Sequence, residues 1–254
     1  MYDEITGILN AQGKRVVEFS GIMSNPTYAK VQDGAKLARE NHVDLILAVG
    51  GGSVSDCCKV ISGAFDALSH AMETYFGKPD ENNLSDDINE AVMRSVIRNI
   101  RILLTDPENY DARSELAWAS AMAENGVLKI GKVTDFQAHQ IEHQLGAYTN
   151  CNHGAGLAVI HPVLYRHIYK SGAARFARFA QNVWGIAPKG SDEETAAAGI
   201  DALAAVIKKI GLLTTFTELG IPADTDFRAI ADSTNVTAGC CKKLTRDEIC
   251  EILQ

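Results

Sequence analysis

The sequence predicts two classes of structure in one chain: an α/β segment over residues 1–62 and an all-helical domain over residues 63–254. Three observations predict it. Val43–Val49 (VDLILAV) is a nearly continuous apolar run, as expected for a strand covered on both faces of a parallel sheet. Gly50-Gly51-Gly52-Ser53 follows directly and opens a helical run, Val54–Ile61, so the glycines lie at a buried strand's C-terminal end, where α/β sheets bind ligands. Beyond Gly63 the strand pattern stops and only amphipathic helical runs remain.

Each element follows from local pattern. In residues 1–12 the positions Ile5, Ile8 and Leu9 recur at helical spacing, and Gly13 is placed to stop that helix. Arg15–Phe19 (RVVEF) is a short β-type run, Ser24-Asn25-Pro26 a turn, and Tyr28–Glu40 helical, with Val31, Ala35, Leu37 and Ala38 inward. In the second part the helical runs are 63–76, 84–104, 109–125, 134–146, 153–169, 171–184, 192–210, 225–233 and 245–253. Ser191…Glu194 and Thr245…Glu248 are capping boxes, and Lys208-Lys209 before Gly211 suit a helix C-terminus. Gly146 and the polar run Tyr148–Asn152 are expected to break the helix before them. No internal repeat or low-complexity tract occurs. Two strands are too little sheet for independent stability, and KVIS meets GAFD without linker residues. The expectation is a seam at 62/63, with part of the N-terminal domain absent from the chain.

At 254 residues, 46% hydrophobic and 22% charged, the chain can bury a full core. A net charge of −8 provides no basic stripe to neutralise phosphates, which argues against a nucleic-acid partner. No apolar run reaches the roughly 18 residues a membrane helix needs, and no signal-peptide pattern opens the sequence. The six cysteines include adjacent pairs and no CxxC spacing, which suits reduced thiols and a cytoplasmic protein.

Chemistry concentrates in Asp135–Val159. His139 and His143 share one helical face, about 5–6 Å apart. His153 opens the next apolar segment behind Asn152, a candidate N-cap. A helix, a reversal and a new helix can bring His139 and His153 together, whereas one straight helix would hold them about 21 Å apart. Upstream, Asp66 and His70 repeat the i, i+4 arrangement. Alone, that pair is weak evidence, being more often a surface pair. HQIEH is not the HExxH of zinc proteases, since its Glu is at 142 rather than 140. Together, three imidazoles and one carboxylate on helices that can face each other make a donor set for a divalent transition metal. His143, one turn from His139, is left as ligand, proton relay or substrate contact; the last two are favoured because Asp66, His70, His139 and His153 already fill four positions. Asp135 reads as a helix cap or as an acceptor behind the ligands. His42, His161 and His167 are background, the last two about 12 and 21 Å along the helix from His153. Trp118, Trp184 and the methionines read as core.

The glycine loop suits a phosphate. Residues without side chains let successive backbone N–H groups approach an anion, and the next helix favours negative charge. A lone GGGS could equally be a tight turn. Here it follows a buried strand and precedes Asp56 and Lys59, and it is neither GxGxxG nor a Walker A loop.

At these residues the sequence resembles the iron-containing (group III) alcohol dehydrogenases, nearest the butanol dehydrogenase branch, over essentially its whole length. Gly50-Gly51-Gly52-Ser53-Val54-Ser55-Asp56-Cys57-Cys58-Lys59 matches that family's GGGSxxDxxK pyrophosphate loop. Asp66 and His70, in GAFDALSHAMETYF, match its first two metal ligands; His139 and His153 match the others, with His143 at the intermediate histidine. The resemblance implies a dehydroquinate synthase-like architecture: an N-terminal dinucleotide-binding α/β domain, a C-terminal helical domain, and a metal with NAD or NADP in the cleft between. It implies Fe²⁺, although an N₃O set accepts Zn²⁺ too. It also implies a homodimer. Two departures stand out. Family members carry a further strand and Gly-rich loop before the position of Met1, and several tens of residues between the positions matching Ser62 and Gly63.

The activity implied is reversible oxidation of a primary alcohol to its aldehyde, with Asp66, His70, His139 and His153 holding the metal and His143 or water removing the proton. The partner expected is a small alcohol or aldehyde, with no nucleic acid and no membrane. The rivals are a glycerol dehydrogenase or dehydroquinate synthase-like enzyme, a metal-dependent hydrolase, and an inert metal-binding chain. Against the hydrolase, no His-Asp dipeptide occurs.

Overall fold

In the computed structural model the chain divides into two compact units, Met1–Asp56 and Cys57–Gln254. The structure describes residues 2–19, 33, 36, 37, 39–41, 53–79, 81–238 and 241–254, with the backbone alone for 2–5 and 53–62. In the first unit, helix α1 (Tyr2–Ala11) ends at Gly13, whose φ of 71° is open to glycine, and Lys14 N–H closes the turn on Leu9 O at 2.9 Å. Asp33, Lys36, Leu37, Arg39 and Glu40 are helical, as the periodicity predicts. Residues 14–19 form no strand, contrary to the reading of RVVEF. A strand exists only against a partner, and the expected neighbour, Val43–Val49, lies outside the described residues.

A long helix, α2 (Ser53–Tyr75), runs without a break across 62/63. From Ala64 to Gly77 every residue is buried except Asp66 and His70, one turn apart on a single face. A helix buried nearly all round belongs at the centre of a domain, and Phe65, Leu68, Ala71, Met72 and Tyr75 accordingly lie in the core. The C-terminal carbonyl of Tyr75 accepts from Arg175 Nη2 at 2.6 Å and Lys132 Nζ at 3.2 Å, cations where the helix dipole is negative. Both cations also reach Asp86, with Lys132 at 2.8 Å. Behind Tyr75, an isolated antiparallel bridge pairs Lys78 with Val133. A Cβ on Gly77 would stand 2.6 Å from Val133 O, so glycine is what admits that approach.

Among the described residues the α-helices after α2 are α3 (Leu84–Leu103), α4 (Tyr110–Glu124), α5 (Gln137–Thr149), α6 (His153–Ile168), α7 (Ala173–Trp184), α8 (Asp192–Lys209), α9 (Phe227–Ser233) and α10 (Arg246–Leu253). They fall on the predicted helical runs. Both predicted capping boxes form, and a third at Asn83 and Asp86 opens α3. Helices pack as neighbours in pairs α3/α4, α5/α6, α7/α8 and α9/α10. Phe76 stacks on Phe176 at 4.2 Å and meets Tyr165 edge-on at 5.0 Å, joining α2 to α6 and α7.

Three local readings need correction. Helix α5 passes through Gly146 and stops at Asn150, which takes the left-handed conformation (φ 55°) that asparagine tolerates. Asp135 does not cap α5; Phe136 holds the N-cap position, and Asp135 accepts from the Thr237 hydroxyl. Trp118 is 70% exposed, because the buried stripe of α4 is Ala112, Leu116, Ala119 and Ala123 and Trp118 lies opposite it. Among the described residues, no helix is long and apolar enough to cross a membrane.

Candidate metal centre

The open face of α2, the N-terminal half of α5 and the first residue of α6 meet. Asp66 Oδ1 stands 3.4 Å from His139 Nε2, 3.4 Å from His153 Nε2 and 3.7 Å from His70 Nε2. The ring of His139 lies 4.3 Å from that of His70 and 5.3 Å from that of His153. Four donors sharing one tetrahedral cation at about 2.1 Å stand about 3.4 Å from one another. Asp66 Oδ1 and His139 Nε2 are buried without a hydrogen-bond partner, which is costly unless something else takes up their lone pairs. Asp66, His139 and His153 each offer one atom within 4.8 Å of the others and fit a divalent cation, while His70 joins Asp66 and Glu124 in a second such group.

Local sequence explains how each donor is aimed. Asp66 and His70 sit one turn apart on the unburied face of α2 between Ala64 and Tyr75. Helix α6 begins at His153 because Asn152 accepts from Ala155 N–H at 3.1 Å, as predicted, leaving the imidazole at the helix mouth. Phe136 packs edge-on against His70 at 5.3 Å and His139 at 5.1 Å.

The electrostatics reflect this crowding. Burial alone would raise Asp66, but His139 and His153 outweigh it and hold the carboxyl well below the usual range. Burial and the neighbouring His139 depress His70 to about 4. Burial works against charge on His139 and His153 too, yet Asp66 and Glu73 raise the first to about 9, and Asp66 and Glu142 the second to about 10. Burial, followed by His153 and His139, lowers exposed His143, whose ring lies 5.3 Å from that of His153 and 5.8 Å from that of His139. His143 forms, with Glu142 and His153, a further group of donor atoms within 4.8 Å of one another.

Three carboxylates beside the site escape sequence reasoning. Glu73 meets His139 Nδ1 at 2.5 Å, Glu142 meets His153 Nδ1, and Glu124 lies 3.0 Å from His70 Nε2. A signal existed for two of them: Glu73 is three residues past His70, and Glu142 three past His139, each on the ligand face of its helix. Glu124 ends α4 and carried no local signal. His161, read as background, is fully buried with Nε2 2.6 Å from Ser69 Oγ, and His167 pairs with Glu248. Gly50, Gly51 and Gly52, like His42, lie outside the described residues. Ser53, Asp56 and Lys59 fall in the first turns of α2.

Comparison with known proteins identifies the family. Residues 60–254 match the Fe-containing alcohol dehydrogenase family, C-terminal, and residues 1–91 match iron-containing alcohol dehydrogenase. The chain is 26% identical to NADH-dependent butanol dehydrogenase B of Clostridium acetobutylicum, covering 100% of this chain and 87% of the relative. It is 25% identical to an NADPH-dependent aldehyde reductase of Escherichia coli, over 85% of this chain and 79% of that one. A crystal structure of NADH-dependent butanol dehydrogenase A from Thermotoga maritima superposes with a TM-score of 0.82 at 26% identity, over 99% of this chain and 86% of the other. With both family models matching, over residues 60–254 and 1–91, the chain belongs to the iron-containing alcohol dehydrogenase family, in the branch of the butanol dehydrogenases.

Proposed function

We propose that the protein interconverts a primary alcohol of butanol-like size and its aldehyde, using a divalent metal, iron first, and a nicotinamide dinucleotide. The observation that carries this reading is the convergence of His70, His139 and His153 Nε2 on Asp66 Oδ1. When bound, the metal would supply Lewis acidity toward the substrate oxygen and the nicotinamide would exchange the hydride. Asp66 is the only anion in the donor set, so these residues leave a divalent cation with net positive charge. His143, exposed beside His153, is placed to take the substrate proton at a ring nitrogen or pass it to water.

The nicotinamide side of the reading rests on Gly50, Gly51, Gly52, Ser53, Asp56 and Lys59 as the pyrophosphate loop of an α/β domain over residues 1–62. Relatives use NADH in one case and NADPH in the other, and either dinucleotide suits the reading, as Zn²⁺ suits the donors. The alignment with the butanol dehydrogenase spans 338 positions against 254 residues here, so several tens of its positions have no counterpart in this chain. A cytoplasmic homodimer is the setting the family suggests.

The test is metal analysis of the purified protein together with NADH- and NADPH-coupled reduction of butyraldehyde. We expect about one divalent metal per chain, turnover with at least one dinucleotide, and loss of both metal and turnover in His153→Ala. Normal metal content and activity in that variant would remove the mechanism. Phosphate release from phosphoesters without any nicotinamide absorbance change would favour a hydrolase instead.

A further inference from the structure

We infer that Glu142 and Glu73 are positioning residues of the metal centre, each fixing the imidazole of the next helix in line, and that Gly156 is the space Glu142 needs. The inference rests on the metal reading of the site. Helix α2 carries the donor Asp66 and, two turns on, Glu73, whose Oε2 meets His139 Nδ1 at 2.5 Å on α5. Helix α5 in turn carries the donor His139 and, one turn on, Glu142, whose Oε2 meets His153 Nδ1 at the start of α6. Each helix thus provides a ligand and also the carboxylate that aims the following helix's ligand.

Both carboxylates are almost wholly buried, Glu73 at 3% and Glu142 at 2% exposure. Burying a carboxylate is costly without partners, so their placement is not incidental. Each carboxylate faces the Nδ1 nitrogen of its imidazole at hydrogen-bond range, and so holds the ring by that nitrogen. That anchors the ring through Nδ1 and leaves Nε2 as the nitrogen turned toward Asp66, the one a bound cation would take. His70 provides the contrast: its Nδ1 has no hydrogen-bond partner, and the ring is held by packing against Phe136 and His139.

Glu73 has a second task, accepting from the N–H groups of Ala138 at 2.6 Å and His139 at 3.2 Å at the start of α5. Its loss would disturb the helix and the ligand together. Glu142 isolates the positioning role. A Cβ on Gly156 would stand 2.8 Å from Glu142 Oε1 and 2.9 Å from its Cγ. Cys151 Sγ borders the same oxygen at 3.8 Å. A methyl group at 156 would therefore force the Glu142 side chain to shift from the position in which it meets His153.

The experiment titrates the full chain with Co²⁺, reading affinity and the visible absorption of the bound ion, with circular dichroism to verify folding. Glu142→Ala and Gly156→Ala should each lower affinity roughly 10–100-fold and alter the Co²⁺ spectrum, the cost expected when an outer carboxylate is lost. Glu142→Gln, which keeps the volume and one acceptor, should fall between Glu142→Ala and the unaltered protein. In the double variant Gly156→Ala should add almost nothing to Glu142→Ala, because it acts through that side chain. A folded Glu142→Ala or Gly156→Ala protein with unchanged affinity and spectrum overturns the inference, as do fully additive losses in the double variant. If the unaltered protein takes up no metal, the metal reading itself fails, and the inference with it.

Discussion

Asp86 shows how much one buried residue can carry. Its side chain is fully buried and accepts from Lys132 at 2.8 Å and from Arg175, the two cations that also reach the last carbonyl of α2. Replacing it with Asn removes the anion and leaves two cations sharing a neutral group. We expect Asp86→Asn to cost about 3–5 kcal/mol in urea unfolding, the range for breaking one partner of a buried pair. The pH dependence follows from the direction of its shift. Burial would raise Asp86, but Arg175 and Lys132 outweigh it and hold it below its ordinary 3.8. A depressed folded-state value means the stabilisation is present above the unfolded pKa and is lost as pH falls through the folded one. The stability gap between native protein and Asp86→Asn should therefore be flat at neutral pH and close only in acid.

At the scale of elements, ends and close approaches decide more than helix interiors. Helix α8 is set by the Ser191 capping box, in which Ser191 Oγ accepts from Glu194 N–H at 3.2 Å and Glu194 accepts from Ser191 N–H at 3.1 Å. Ser191→Ala should cost about 1 kcal/mol in thermal or urea unfolding. The α7/α8 crossing depends on Gly199, where a Cβ would stand 2.7 Å from Ala180 Cβ and 3.0 Å from its Cα. Alanine gains up to about 1 kcal/mol of helix propensity over glycine, yet overpacking against a backbone costs about 1–3 kcal/mol. The second effect wins, so Gly199→Ala should destabilise the protein in the same measurement. Stabilisation would show that the two helices can part freely.

For the helical unit as a whole, the donor set joins three helices that are separate in sequence: α2, α5 and α6. A cation held by all three binds the folded state and not the unfolded chain, and so stabilises by about 2.7 kcal/mol at a hundredfold excess over its dissociation constant. Chelation should lower the melting temperature of the native protein and leave that of His153→Ala unchanged. An equal response in both would place the stabilising ion elsewhere.

How much was legible in advance depends on how far apart the deciding atoms are along the chain. Helical runs, both capping boxes and the Asn152 cap rest on spacings of a few residues, which the sequence states directly. Asp66, His70, His139 and His153 were legible for the same reason, as i, i+4 pairs and a cap-adjacent histidine, and through the family pattern they resemble. Tertiary structure alone decided that Glu73 would take the first N–H groups of α5 and displace Asp135 from the cap, that Asn150 and not Gly146 would end that helix, and that Trp118 would face outward. It also decided that Glu142 would lie in the space Gly156 leaves. Periodicity fixes which residues share a face, whereas the face each helix turns toward another is settled by long-range packing and by where buried charges find partners.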